Sequence, residues 1–147
     1  MAAISSTLFK GLLLDYYYLR RAESECGKGR RFQLFQGWFG YSSLVSPAPS
    51  GAGFDIANIP PDFDISQLQA KFAEVDLGLD VDPNTANITV TVAVKDTHIK
   101  DSAAHKFNTL VLVDDDKKAC AVLCCQEDTI YKGKNFTAYI TIEQKVI

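Results

Sequence analysis

The stretch Asn-Ile-Thr-Val-Thr-Val-Ala-Val-Lys, residues 87–95, decides the fold class of this chain. Its apolar residues Ile88, Val90, Val92 and Val94 alternate with small or polar ones. Because successive side chains of a strand point to opposite faces, this alternation predicts a β-strand with one buried face. The stretch therefore indicates a sheet that is covered on one side.

Three further runs after this strand predict more strands. Residues 109–113 and 118–125 are apolar, and the acidic residues 114–116 between them are typical of a hairpin turn. Residues 136–142 alternate again. Residues 75–147 are thus predicted to form a β-rich half, built as a mostly antiparallel sheet or sandwich.

An N-terminal helix is predicted over residues 6–26. Its apolar side chains recur at helical spacing and form a wide stripe, which consists of Leu8, Leu12, Tyr16 and Leu19, flanked by Phe9, Leu13 and Tyr17. Ser5 and Ser6 offer N-caps, and Gly27 is the expected stop. The stripe is wider than one small core requires. It either packs on the sheet and exposes tyrosines at the rim, or docks onto another subunit.

Residues 31–45 are dense in aromatic side chains and predict one or two strands, with Gly37 at a bend or bulge. Trp38 and Tyr41 can stack on a sugar ring, but core or subunit packing is the favoured interpretation. Together with the helix, this segment supplies the hypothesised subunit interface, which consists of Leu8, Leu12, Tyr16, Tyr17, Leu19, Phe35, Trp38, Phe39 and Tyr41.

A second, short helix is expected after a loop over residues 46–62 that is punctuated by proline and glycine. Asp62 or Asp64 would cap this helix, Gln67 would complete a capping box with Asp64, and the helix would run to about Ala73. Both predicted helices precede the β-rich half. The predicted fold class is therefore α+β.

Length and composition fit one globular unit. The chain has 147 residues, of which 47% are hydrophobic and 22% charged, so it can bury a sizeable core and is not disordered. We expect a single domain over residues 1–147, with the N-terminal helix and a turn in residues 1–30.

The charge pattern disfavours nucleic acid and membranes as partners. The formal net charge is -3, and the densest basic cluster, residues 20–31, is interrupted by Glu23 and Glu25. A surface that tracks phosphates needs clustered Lys and Arg. The apolar residues 8–19 are too few to span a bilayer and lack the cleavage site of a signal peptide. Synthesis in a reducing cytoplasm is the expectation.

The four cysteines do not suggest a disulfide framework. Cys124 and Cys125 are adjacent and would face opposite sides of a strand, while Cys120 and Cys124 lie too far apart along one strand to be bridged. Structural zinc sites usually use two pairs of cysteines from separate places in the chain. Here there is one cluster, residues 120–125, and the only other cysteine is the distant Cys26. Buried apolar packing is the favoured role, and we expect no metal.

No catalytic motif stands out in the sequence. It has no nucleophile elbow, phosphate loop, dinucleotide fingerprint or metalloprotease motif. His98 and His105 fall together in one polar loop without a second pair of ligands. A carboxylate pair for glycoside cleavage would be set by the fold rather than by spacing. We therefore expect no enzyme and no cofactor.

The order of these features resembles the N-terminal attachment module of bacteriophage tail fibres, the tail-collar fibre type. The resemblance is carried by Asp82-Pro83-Asn84 before residues 88–94, by residues 108–116 with residues 119–125, and by Lys132-Gly133 before residues 136–142. It is most specific over residues 82–125. The Arg-Glu-Val/Ile-Gly-Leu stretch of that family is replaced here by Thr109-Leu110-Val111-Leu112.

The resemblance implies a virion structural protein of a bacteriophage tail or baseplate, a fibre-attachment or adaptor component. Such a protein has no catalytic role, assembles with other tail or baseplate proteins, and forms trimers or other oligomers. The alternative is a carbohydrate-binding β-sandwich that uses Trp38 and Tyr41. An isolated chain that oligomerises would favour the first hypothesis.

Overall fold

The computed structural model describes residues 3–5, 9–98 and 103–144. Within these ranges, one α-helix, α1, spans Asp15–Glu25, and short 3₁₀ turns span Ile65–Gln67 and Asp96–His98. The strands in chain order are β1 (Ala3–Ser5), β2 (Phe9–Leu13), β3 (Leu34–Tyr41), β4 (Val45–Pro47), β5 (Phe54–Ile56), β6 (Gln69–Asp76), β7 (Gly78–Val81), β8 (Ile88–Val94), β9 (His105–Asp114), β10 (Ala119–Ile130) and β11 (Phe136–Ile142).

The strands form three sheets, and every pair of neighbouring strands within a sheet is antiparallel. A six-stranded sheet has the order β1-β2-β10-β9-β3-β6, a three-stranded sheet has the order β11-β8-β7, and β4 pairs with β5 alone. The prediction of a mostly antiparallel β structure with an N-terminal helix is therefore confirmed.

The three-stranded sheet packs on one face of the six-stranded sheet, here named the inner face. Val90, Val92 and Val94 of β8 are fully buried in one cluster with Phe39 and Phe107. The stretch that predicted a strand with one buried face is thus β8, as expected. Edge-to-face ring contacts join the sheets, since Phe136 of β11 lies 6.0 Å from Phe39 and 5.0 Å from Phe107 between ring centroids.

The opposite, outer face of the six-stranded sheet is covered by the segment between β3 and β6. Val45, Ile59 and Phe63 of this segment are buried in a second cluster with Trp38 and Val111, among others. The prediction of a loop over residues 46–62 is therefore wrong in part, because β4, which begins at Val45, and β5 form a hairpin there. The side-chain amide of Gln126 anchors this hairpin, because it accepts from the N–H of Phe54 and donates to its carbonyl, both at 2.9 Å.

The prediction of a helix over residues 6–26 is wrong at its start. Residues 6–8 lie outside the described ranges, residues 9–13 form β2, and the helix begins only at Asp15. The apolar run fits the helical period of 3.6 residues as well as the strand period of two, and such a run cannot be assigned by periodicity alone. The end is as predicted, since Gly27 has φ of 70° and the N–H of Lys28 donates to the carbonyl of Glu23.

The prediction of a second helix is also wrong. The capping box of Asp64 and Gln67 is present, but it opens only the 3₁₀ turn, and β6 follows. Ala70 has φ of 49°, a left-handed backbone that ends any helix there, and the register of β6 against β3 shifts beside it. Burial in β6 then alternates through Ala73 and Val75, which is a strand period.

Candidate interaction surfaces

The predicted interface residues of the N-terminal segment are divided by the fold. Leu8 lies outside the described residues. Leu12 is half-buried in β2 against the outer-face cluster, and Tyr17 is buried in the inner-face core. Tyr16 is half-buried and donates a hydrogen bond of 2.6 Å to Asp114. Leu19 is 58% exposed, so α1 presents it to solvent.

The predicted aromatic segment is divided in the same way. Phe39 is fully buried, and Trp38 is only 7% exposed, with Nζ of Lys71 3.9 Å from its ring centroid. A covered indole offers no stacking platform, so the geometry gives no support to a sugar site at Trp38. Tyr41 donates a hydrogen bond of 2.7 Å to Glu127. Phe35 alone among these is exposed, where the pairing of β3 with β9 shifts register.

Other exposed apolar side chains lie on the three-stranded sheet, outside the interface that is expected from sequence. Leu79 and Val81 of β7 and Tyr139 of β11 are exposed, Tyr139 by 77%. Tyr139 lies with Thr137 and Thr141 on the side of β11 that faces away from the core. The alternation that predicts a one-sided strand could have revealed it, because an aromatic ring on the polar side has no core to join.

The acidic residues 114–116 lie within reach of a common cation. Oxygen atoms of these residues all lie within 4.8 Å of one another. Asp114 is buried and accepts hydrogen bonds from the N–H groups of Asp116 and Lys118, both at 3.0 Å. Nη2 of Arg30 lies 3.1 Å from Asp115 and 2.7 Å from Asp116. The turn interpretation thus accounts for these carboxylates, with Arg30 as their counter-ion.

Tyr16 connects this turn to the helix. Its hydroxyl donates to the buried Asp114, so α1 is attached to the end of the β9–β10 hairpin. Burial, together with the hydrogen bond to Asp114, raises the pKa of the Tyr16 hydroxyl. The contact therefore requires a protonated tyrosine.

The cysteines are free thiols, and the buried role predicted for them holds for Cys120 and Cys124. Burial raises the pKa of the Cys120 and Cys124 thiols, and it raises that of Cys125 to about 12. Cys26 is exposed, just beyond the end of α1. The raised pKa makes Cys120, Cys124 and Cys125 poor nucleophiles.

The basic cluster of residues 20–31 is largely occupied by contacts within the chain. Arg20 pairs with Glu23 at 3.2 Å, and Arg21 donates a hydrogen bond of 2.9 Å to Gln144.

His105, which the sequence places in a polar loop, begins β9 and stacks on Phe72, with 5.0 Å between the ring centroids. In the described part of the chain, no helix is long and apolar enough to cross a membrane.

Comparison with known proteins agrees with the tail-fibre resemblance. Residues 1–146 match the family model described as bacteriophage P1 tail fiber protein R. The chain is 38% identical over 144 residues to tail fiber protein R of Escherichia phage P1, and the match covers 97% of this chain and 96% of that relative. No solved structure matches significantly. The chain therefore belongs to the bacteriophage P1 tail fiber protein R family, which confirms the predicted bacteriophage tail-fibre structural protein.

Proposed function

We propose that this protein is a structural, non-catalytic part of the virion that assembles with other proteins of the phage tail. The observation that carries the proposal is the 38% identity to tail fiber protein R of Escherichia phage P1, which extends over 97% of the chain. Exposed apolar side chains, such as Leu19 on α1 and Phe35 on β3, support it, because assembly surfaces keep such anchors outside the core.

We propose further that the chain forms a homo-oligomer, with a trimer as one form, and that Leu19 and Phe35 are the anchors of the contact. Both were expected at the interface from sequence, and both are exposed, by 58% and 40%. Leu12, Tyr16 and Tyr41 would lie at its margin as half-buried residues. Tyr17, Trp38 and Phe39 would support the surface from within, since they are buried.

We also infer that residues 1–147 form one domain and that its two facing sheets amount to the β-sandwich expected from sequence. The support is the inner-face core, where side chains of β8 and β11 share one cluster with those of β3 and β9. A shared core of this kind couples both sheets into one cooperative unit.

The first experiment asks whether the protein is a tail component. Tails of the parent phage should contain the chain by mass spectrometry of purified particles, and particles made without its gene should lack or misassemble part of the tail fibre. Normal tails that never contain the chain would overturn the proposed function.

The second experiment measures oligomers of the purified protein by size exclusion with light scattering. Leu19→Ser and Phe35→Ser should shift the protein toward the monomer, because they remove apolar anchors from the contact. Leu79→Ser is the matched control, since Leu79 is 46% exposed but lies on β7. A wild-type monomer at all concentrations would overturn the homo-oligomer.

A further inference from the structure

A groove with almost entirely apolar walls opens between the two sheets, beside β11. Its floor is the inner face of β2, β9 and β10, and its wall is formed by Ile140, Thr141 and Ile142 of β11. Thr141 is exposed on the side of β11 that faces away from the core, yet it borders the groove together with Ile140 and Ile142, and β8 occupies the other edge of β11. The edge of β11 therefore faces the groove.

This edge has no partner strand within the described ranges, because β8 is the neighbour of β11 and β11 ends the sheet order. An edge strand directs every second N–H and C=O away from its neighbour, where they can pair with another strand. The edge of β11 is thus a row of hydrogen-bonding groups beside an apolar surface.

The other described edge strands carry the usual protection against pairing, and β11 does not. β6 presents Lys71, Glu74 and Asp76, and β7 is four residues long with Asp80 in it. β1, β4 and β5 are only three residues long each. β11 is seven residues long, Phe-Thr-Ala-Tyr-Ile-Thr-Ile, without a charge, proline or glycine. An uncharged edge of this length is the kind that natural proteins avoid unless it is covered.

The floor of the groove has a gap above Gly11, because glycine has no side chain there. Gly11 pairs with Leu123, and a Cβ built on it would meet Leu123 at an ordinary contact distance of 3.4 Å. Phe9 borders the same space and is 40% exposed. The groove therefore matches an extended segment with alternating apolar side chains, one of which lies over Gly11.

The shape of the floor favours a single strand over a second whole copy. β2 and then β1 continue the six-stranded sheet beyond the groove. If two β11 strands paired about a two-fold axis, both six-stranded sheets would lie on the same side of the joined sheet. The outer strands β2 and β1 of each copy would then compete for the same space.

We propose that the groove receives one extended, uncharged apolar segment of another tail polypeptide, which adds to β11 as a fourth strand of the three-stranded sheet. Its main chain pairs with the free edge of β11, and its alternate side chains are buried on Phe9, Leu123 and the space over Gly11. This inference rests on the proposed function, because the donor is a second protein of the tail.

Hydrogen–deuterium exchange compares the isolated protein with the same protein in purified tails. In tails, the amides of residues 136–142 should exchange about tenfold or more slowly, while those of β7 change less. Unchanged exchange of β11 in tails that contain the chain overturns the groove proposal and leaves the proposed function intact. Tails without the chain overturn both. Protection that rises with concentration in the isolated protein identifies a second copy as occupant and overturns the tail-partner proposal.

A variant that fills the groove with a larger side chain tests the same site by steric exclusion. Gly11→Leu should fold, because its Cβ would meet Leu123 at 3.4 Å, the near end of ordinary contact, and it should abolish the protection of β11 in tails or exclude the chain from them. Gly78→Ala, on the far edge of the three-stranded sheet, is the matched control and should behave as wild type. If Gly11→Leu shows no cooperative thermal unfolding, and so has not folded, Phe9→Ser is tested in its place, since Phe9 is already partly exposed. Full protection of β11 in a folded variant overturns the proposal.

Discussion

The two large sheets differ in how many of their faces are covered. In the six-stranded sheet, β9 is buried at every position from Phe107 to Asp114. In the three-stranded sheet, β8 buries alternate residues, and β7 buries none. A sheet that is covered on both faces concentrates the stabilising burial. A sheet that is covered on one face leaves its other face and its two edges available for contacts with other molecules.

The strongest way to break this comparison is to remove a ring from the shared core. Phe39→Ala should lower the free energy of unfolding by about 3–5 kcal/mol, because Phe39 is fully buried and contacts three other phenyl rings. Tyr139→Ala, on the open side of the three-stranded sheet, should change it by about 0.5 kcal/mol or less. Urea denaturation followed by circular dichroism measures both, and similar losses would contradict the comparison.

The close approach of the two sheets is tested at Gly37. A Cβ there would lie 2.7 Å from Cγ2 of Val92, so Gly37→Ala should separate the sheets and cost about 1–3 kcal/mol of unfolding free energy. The double variant Gly37→Ala/Val92→Ala should lose less than the sum of the single losses, because the smaller Val92 side chain makes room.

Gly78→Ala controls for the intrinsic effect of replacing glycine in a strand. A Cβ at Gly78 would meet Thr91 at 3.5 Å, which is ordinary contact, so its effect should be near zero. Additive losses at Gly37 and Val92, measured by the same denaturation, would show that the two residues do not oppose each other across the interface.

The smallest expected effect concerns Tyr16, which attaches α1 to the six-stranded sheet. Tyr16→Phe should cost about 1–2 kcal/mol of unfolding free energy at neutral pH, because the buried Asp114 loses a donor. Tyr139→Phe, whose ring lies 77% exposed on the other sheet, should cost nothing measurable. An equal loss in the two variants would mean that the buried hydrogen bond contributes no stability.

Tyr16 also predicts a dependence on alkaline pH. Its folded-state pKa is raised, by burial first and then by Asp114, above the ordinary tyrosine value of about 10. The stability it contributes is therefore complete below pH about 10 and is lost as the pH rises through the folded pKa. Between pH 9 and 11, roughly the range of ordinary tyrosine ionisation, wild type should lose more stability than Tyr16→Phe. Parallel curves would refute this assignment.

The strands that face solvent on one side were predictable, because their period of two is visible in the sequence. The apolar alternation of residues 88–94 gives β8 directly, and that of residues 136–142 gives β11. The hairpin at Asp114 was predictable from its acidic turn.

Segments with apolar residues on both faces were not predictable in the same way. Residues 9–13 satisfy a helical stripe as well as a strand, since Leu13 packs in the inner-face core while Leu12 packs on the outer face. The run from Asp64 begins like a helix, and only the tertiary pairing of β6 with β3 overrides its cap.

The proposed contact surface was only partly predictable, because aromatic side chains serve equally in cores and interfaces. From sequence, Trp38 and Phe35 are equally expected in a core or in an interface. In the structure, the shift of register beside Phe35 exposes its ring, while residues 45–63 cover the ring of Trp38. Such choices depend on which segment lies over each face, which is a long-range property of the chain.

The buried thiols have a consequence for the life of a virion component. Oxidants and disulfides react with the thiolate, and burial favours the unreactive protonated form of Cys120 and Cys124, as partial burial does for Cys125. We therefore expect these thiols to resist oxidation when the virion is exposed to air. Cys26, exposed beyond α1, is where oxidation would begin.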